Sequence, residues 1–378
     1  MGAITTSDVK QKNKENIIQY IYRKRSTHQQ QICEELQLSR PTVIPIIREC
    51  EEQQIIEKNG FFESTGGRKA TAIHFIPDAK IALGVELVQD SFEIVALNLY
   101  GETLHVQKHE FPFRNEECYF ETVCKTILSF IETFQIKKEK ILGVGIVLQG
   151  LISADGYQVT YGKILNCTGL SIDSFTKHLP YHCMFFHDAE AAALDELWQA
   201  PNLKNGIYMH IRSHVSGAII VNRSFLKGTE LKSGVFEHMT LVPGGKPCYC
   251  GHRGCVETYC STQPLIDCGG SLDDFFAKLR SGDSSCKKEW NLYLKYLATS
   301  INNLHMFIDY PIILGGTISP YLQGSDIAAL HKLIYDNTAF PTENEFIRVS
   351  CCPRSPISRG AALPYIMKYL TDLAGIVY

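Results

Sequence analysis

The spacing of apolar residues changes character near residue 80. Before it, Ile17, Ile18, Ile21 and Tyr22 recur at helical intervals within residues 13–25. Ile32 and Leu36 give a shorter helix over about 28–36 its buried face. Leu38-Ser39-Arg40-Pro41-Thr42 reads as a turn into a third helix, with Ser39 as N-cap and Pro41 tolerated in the first turn. Val43, Ile46 and Ile47 form its stripe, running toward Cys50. Pro45 is out of place there, because an interior proline kinks a helix or shortens its first segment. Residues 55–58 and 72–75 read as two short strands joined through Ser64-Thr65-Gly66-Gly67-Arg68-Lys69. From residue 80 onward, strands and helices alternate. Residues 81–87 and 92–97 predict neighbouring strands, 119–134 a helix and 141–147 a buried strand. A second unit starts at 206–209, and a long helix over about 289–309 precedes a strand at 312–314 and the Gly315-Gly316 turn. Two α/β lobes with a cleft between them are the simplest arrangement. No internal repeat stands out.

Composition narrows the class of protein. The 378 residues are 45% apolar and 20% charged with a net charge of −3, which is ordinary for a globular chain. No run of about 18 apolar residues predicts a membrane span, and no apolar segment near Met1 predicts secretion, so a cytoplasmic protein is expected. The first 80 residues carry 7 Lys and 5 Arg against 10 acids. That excess is small, but the basic residues fall near predicted helix ends and turns. Three helices with a tight turn between the last two make a helix-turn-helix, whose third helix would present Arg40, Thr42 and Arg48 to the major groove of double-stranded DNA. The helices alone fit a small protein-binding module equally well. The Gly66-Gly67-Arg68-Lys69 tip shifts the balance, because it reads as a wing whose arginine suits a narrow minor groove.

Fourteen cysteines are present, most of them isolated, as in a reducing compartment. One group differs. His238, Cys248, Cys250 and Cys255 place four N/S ligands within eighteen residues, enough to close a tetrahedral zinc site with no open position for catalysis.

The run Gly234, His238-Met239-Thr240, Pro243-x-Gly245-x-x-Cys248-x-Cys250-Gly251-x-x-Gly254-Cys255-x-Glu257 resembles the signature of the ROK family of repressors, open reading frames and sugar kinases. Residues 38–43 and Gly66-Gly67-Arg68 resemble its repressor branch, so the likeness spans essentially the whole chain. It implies an α/β fold: a winged helix-turn-helix over 1–79, then an actin- or hexokinase-like body. The body's lobes would be 80–190, with 360–378 packing back on it, and 191–359 with the zinc loop. It implies His238, Cys248, Cys250 and Cys255 as ligands of a structural zinc. Asp188 matches the kinases' general base, and Asn166, His238 and Glu257 match sugar-contacting positions.

Departures from the pattern bear on activity. Family kinases carry Asp-x-Gly-Gly-Thr to cradle ATP phosphates, where this chain reads Glu86-Leu87-Val88-Gln89-Asp90. The second phosphate loop reads Arg212-Ser213-His214-Val215-Ser216-Gly217-Ala218, with one glycine. Where many members have Gly-Glu-x-Gly-His, Gly234-Val235-Phe236-Glu237-His238 stands here, with its acid displaced. The expected protein is therefore a non-enzymatic transcriptional repressor that senses a sugar or sugar derivative and works as a homodimer or tetramer. The competing reading is an ATP-dependent sugar kinase with a fused DNA-binding head, and Asp188 would then be catalytic.

Overall fold

Three short helices and a small sheet form the N-terminal block around one apolar interior. The computed structural model describes residues 6–63, 69–352 and 356–377. In order come α1 (Thr6–Lys24), β1 (Ser26–Thr27), α2 (Gln29–Glu35), α3 (Arg40–Glu52), β2 (Ile56–Phe61) and β3 (Thr71–Phe75). The strands form an antiparallel sheet in the order β1-β3-β2. Ile17, Ile18, Ile21, Ile32, Val43, Ile46, Ile47 and Cys50 are all buried, as their spacing predicts. This is a winged helix-turn-helix.

Local details differ from the sequence expectations. Helix α1 starts at Thr6, not near residue 13. Its early turns carry no apolar stripe and are tied by surface pairs such as Lys12 to Glu15 at 3.2 Å. Ser39 occupies the N-cap position of α3, but its hydroxyl meets Thr42 Oγ1 at 2.9 Å and not a main-chain N–H. His28 caps α2 instead of the usual small polar residue, its Nδ1 accepting from the Gln31 N–H at 3.2 Å. Helix α3 runs unbroken through Pro45, which lies on the exposed side, where water can serve the one carbonyl it leaves unpaired.

The body follows with β4 (Ile81–Leu87), β5 (Ser91–Asn98), β6 (Thr103–Glu110), α4 (Glu117–Thr133), β7 (Ile141–Leu148), β8 (Leu151–Ile152), β9 (Val159–Tyr161), α5 (Asp173–Thr176) and β10 (Cys183–His187). Its sheet order is β10-β7-β4-β5-β6. Helix α6 (Asp188–Gln199) leads to β11 (Gly206–Ile211), β12 (Val215–Val221) and β13 (Ser224–Phe225). Then come α7 (Glu257–Cys260), α8 (Gln263–Gly269), α9 (Leu272–Ser281), α10 (Ser284–Phe307), β14 (Ile312–Gly315), α11 (Gly324–Tyr335) and β15 (Ile347–Val349). The second sheet runs β13-β12-β11-β14-β15. Both sheets follow one plan: an antiparallel meander of three strands, then two strands added in parallel beside the first. The duplication lives in topology, with no sequence repeat to announce it.

The last helix, α12 (Pro356–Ala374), packs on β4, β5, β7, α6 and α1. It can approach so closely because of glycine. A Cβ on Gly84 would stand 1.7 Å from the Ser358 carbonyl oxygen, and one on Gly145 2.0 Å from that of Ala361. Arg359 of this helix reaches Asp195 of α6 at 3.1 Å in the interior.

The head is seated on the body without a linker, since β3 ends at Phe75 and β4 begins at Ile81. Ile17, Ile18 and Ile21 share one apolar cluster with Val95, Leu97, Leu363 and Ile366. The Tyr22 hydroxyl donates to the Leu99 carbonyl at 3.0 Å, and the Tyr100 hydroxyl donates to the Tyr22 carbonyl at 3.1 Å. Their rings stack at 4.7 Å, and the Arg25 guanidinium sits 4.1 Å over Tyr100. No helix of the described residues is long and apolar enough to cross a membrane. Two outcomes follow from the shared interior: calorimetry should show head and body melting in one transition, and Tyr22→Ala should cost about 3 kcal/mol in urea titration. Two separated transitions in the wild type would overturn the shared core.

Candidate functional site

The loop after β13 is fixed by an aromatic plug. Phe236 packs where a Cβ on Gly217 of β12 would stand, 2.0 Å from its ring. This seats the 236–238 turn and brings His238 Nδ1 to 3.7 Å from Cys248 Sγ. The sulfurs of Cys250 and Cys255 are 3.8 Å apart. All four ligand atoms lie within 4.8 Å of one another. With metal–sulfur bonds near 2.3 Å, a tetrahedral ion sets its ligands about 3.8 Å apart, whereas a disulfide needs about 2.05 Å. The spacing is that of a metal centre. The turn is closed by the main chain, Cys248 N–H donating to the His252 carbonyl at 2.9 Å.

Beside this loop lies an inner cavity of about 340 Å³ whose wall includes Gln149, Asp188, Ser216, Glu237, His238 and Tyr249. Asp188 is the first residue of α6, set there by the end of β10. Its Oδ1 accepts the Ala189 N–H at 2.8 Å and its Oδ2 the Ser216 hydroxyl at 3.1 Å, so a helix-terminus role and a place in the cavity wall coincide. Of the four expected sugar-contacting residues, the structure brings Asp188 and His238 together here. Glu257 stands behind them, both of its oxygens engaged, by the Val215 N–H and by His214 Nδ1, each at 2.7 Å. Asn166 is exposed at φ 49° and lines a shallower depression with Lys163 and Thr168. The sequence reading did not single out Gln149, Ser216 or Tyr249. The Tyr249 ring stands edge-on to His214 at 5.3 Å and to His238 at 5.1 Å, and its place between two ligand cysteines was the available signal. Burial, reinforced by the charges of Asp188 and Glu257, pushes the Glu237 carboxyl well above the usual carboxylate range.

A larger cleft of about 1320 Å³ separates the lobes next to this cavity. The stretches expected at phosphate loops are tight strand turns. Val88 N–H donates to the Ser91 carbonyl and Arg212 N–H to that of His214, both at 3.0 Å. Across the cleft, the guanidinium of Arg212 pairs with the carboxylate of Glu86, both mostly buried. His210, on β11, is fully buried, and neither ring nitrogen has a partner among the described residues. Burial, then the neighbouring Arg212, lowers its pKa to about 3.

On the head, Arg40, Ile44, Pro45 and Arg48 form the exposed face of α3, with Thr42 half-buried. Arg48 Nε lies 3.0 Å from Glu52 Oε1. Lys69 is exposed just before β3, while Gly66, Gly67 and Arg68 lie outside the described residues.

The profile described as ROK family matches residues 82–335. The chain belongs to the ROK family. Among its relatives is the DNA-binding transcriptional dual regulator NagC of Escherichia coli K12, 24% identical over 311 residues and covering 76% of each chain. The xylose repressor of Bacillus subtilis is 24% identical over 262 residues, covering 68% of each. Solved structures share the fold. A ROK family transcriptional regulator described as a homologue of E. coli MLC superposes with TM-score 0.75 at 21% identity, covering 97% of this chain and 98% of its own. That coverage takes in the head as well as the ROK body. A ROK glucokinase from Streptomyces griseus, solved with glucose and AMPPNP, gives TM-score 0.64 at 18% identity and covers 75% of this chain and 98% of its own.

His210 makes the stability of this ROK body depend on pH. Its folded-state pKa lies below the ordinary 6.5, so the unfolded chain binds the extra proton. Stability contributed by the neutral ring is complete above about pH 6.5 and is lost as the pH falls toward 3. The expected loss from this group between pH 7 and 5 is about 2 kcal/mol by urea titration. His210→Phe should flatten that slope, and an unchanged slope would show that another group titrates there.

Proposed function

We propose that this ROK protein is a DNA-binding repressor of genes for carbohydrate use, not a kinase. The observation that carries the reading is the common interior of winged head and α12, which joins a DNA-reading helix to a body with a sugar-sized cavity. Relatives named N-acetylglucosamine repressor and xylose repressor support it. In this reading residues 1–79 bind double-stranded DNA, while 80–190 with 360–378, and 191–359, form the two sensing lobes. Ser39, Arg40, Thr42 and Arg48 face the major groove, Arg48 exchanging Glu52 for the nucleic acid. The Gly66-Gly67-Arg68-Lys69 wing reaches the minor groove. Asp188 and His238 hydrogen-bond a sugar in the inner cavity, with Glu257 and Asn166 at its border. Two or four chains assemble in the cytoplasm, so that paired heads meet half-sites about 34–36 Å apart. A sugar that prefers the closed lobes shifts the assembly away from that spacing, and the coupling is reciprocal.

Zinc suits the Cys3His donor set, and with all four positions taken by protein it would cross-link the loop carrying His238 without acting on substrate. The Glu86–Arg212 pair argues against phosphoryl transfer. In this reading the side chains of Glu86-Leu87-Val88-Gln89-Asp90 stand where kinases use glycines to bring main-chain N–H groups to phosphate, and Asp90 in the cleft lining would repel it.

The decisive measurement is fluorescence anisotropy on DNA from upstream of the protein's own gene, at fixed salt and with a sugar panel. Specific binding relieved by one sugar is expected. ATP-dependent sugar phosphorylation abolished by Asp188→Asn would overturn the reading in favour of a kinase with a DNA-binding head. Arg40→Ala should weaken operator binding roughly tenfold, and unchanged affinity would remove α3 from the interface. Chelation of the metal should lower the melting temperature and expose titratable thiols. A melting temperature indifferent to chelator would contradict the structural-zinc assignment.

A further inference from the structure

One acid on the wall of the inner cavity keeps an oxygen that nothing among the described residues engages. Glu237 is 6% exposed, and its Oε2 is shielded from solvent with no hydrogen-bond partner among the described residues. The acids around it are satisfied, Asp188 by Ser216 and the Ala189 N–H, and Glu257 by His214 and the Val215 N–H. A buried carboxyl oxygen without a partner weakens the fold that holds it, and native chains rarely keep one. If the position served only to fill space, an apolar side chain would fill it without that loss, as Val235 does on the same wall. The position is therefore explained by a partner from outside the chain. The terminal torsion of a glutamate is soft and two-fold, so a small turn of the carboxyl brings the free oxygen to the cavity.

The surroundings define what that partner offers. Asp188 and Glu237 are the acids of the wall, and Glu257 stands close enough for its charge to be felt. The two lysines of the lining, Lys163 and Lys232, are exposed, and Lys232 is already paired with Glu230. The wall also carries His187, whose Nε2 lies 3.5 Å from Asp188 Oδ1, but among the described residues no lysine or arginine reaches its depth. We propose that Glu237 is a specificity-determining contact for the effector: its free carboxyl oxygen hydrogen-bonds a hydroxyl or amino group of a neutral or basic sugar, and acidic sugars, which would meet Asp188 in the same wall, are excluded. This inference rests on the sugar-effector reading above.

The test is calorimetric titration of the full-length, metal-containing protein with D-xylose, D-glucose, D-galactose, D-mannose, D-glucosamine, N-acetyl-D-glucosamine and D-glucuronate. At least one neutral or amino sugar is expected to bind, and the neutral and amino arms identify which donor Glu237 receives. For that sugar, Glu237→Gln should raise Kd about tenfold, and Glu237→Met should raise it further. Without sugar, Glu237→Met should melt at or above the wild-type temperature because the unpartnered oxygen is gone, Glu237→Gln, which keeps a polar group there, should melt near the wild type, and both should keep their metal content. A purely structural glutamate would instead lower the melting temperature. Equal affinity in both variants, a lowered melting temperature, or binding of glucuronate alone overturns this inference and leaves the effector reading standing. Binding of no sugar by the wild type withdraws the effector reading, and Glu237's role with it.

Discussion

Where α12 crosses β4 and β7, main chain meets main chain at Gly84 and Gly145 with no side chain between them. Any larger residue at either position would lift the helix off the first sheet. The same helix carries Ala362, Leu363, Ile366 and Leu370 into the interior shared with α1, and Arg359 into a buried pair with Asp195 of α6. Head, first lobe and the helix leading to the second lobe therefore converge on one element. That pair is buried with several hydrogen bonds to the guanidinium, so removing either partner alone would strand a charge in the interior.

The second organising feature is the division of the interlobe space. The inner cavity is small and bounded by the loop that carries His238 and Tyr249, and the outer cleft is large and spanned by Glu86 and Arg212. A body of this fold holds glucose and a nucleotide analogue in the S. griseus glucokinase. Here an ion pair between lobes spans the outer space, and polar side chains line the inner one.

Much of this was legible in the sequence because the informative patterns are local. Ile17 to Tyr22 and Val43 to Cys50 mark helices by spacing alone, and the buried strands of both sheets are short runs rich in β-branched residues. The cluster suited to a metal could be read because His238 and three cysteines lie close together in sequence. What escaped depended on longer-range geometry. The first turns of α1 and the two-residue β1 carry no apolar signature. The twofold topology survives only as strand order. Glu257 belongs to the expected set, yet the β11–β12 turn brings His214 onto it and turns it from the cavity, which no spacing rule encodes. Asn166 shows the same limit, its place decided by a loop with positive φ.

The joint built from Tyr22, Tyr100 and Arg25 leaves the head with no slack of its own. Many DNA-reading modules hang on tethers and can adjust to sites of different separation. A module welded to its body cannot. If two copies assemble on DNA as proposed, whatever distance separates their bodies is transmitted undiminished to the recognition helices, so tolerance for operators with altered half-site separation should be narrow. The ruler for the DNA would then lie not in the head that touches it but in the contacts between bodies.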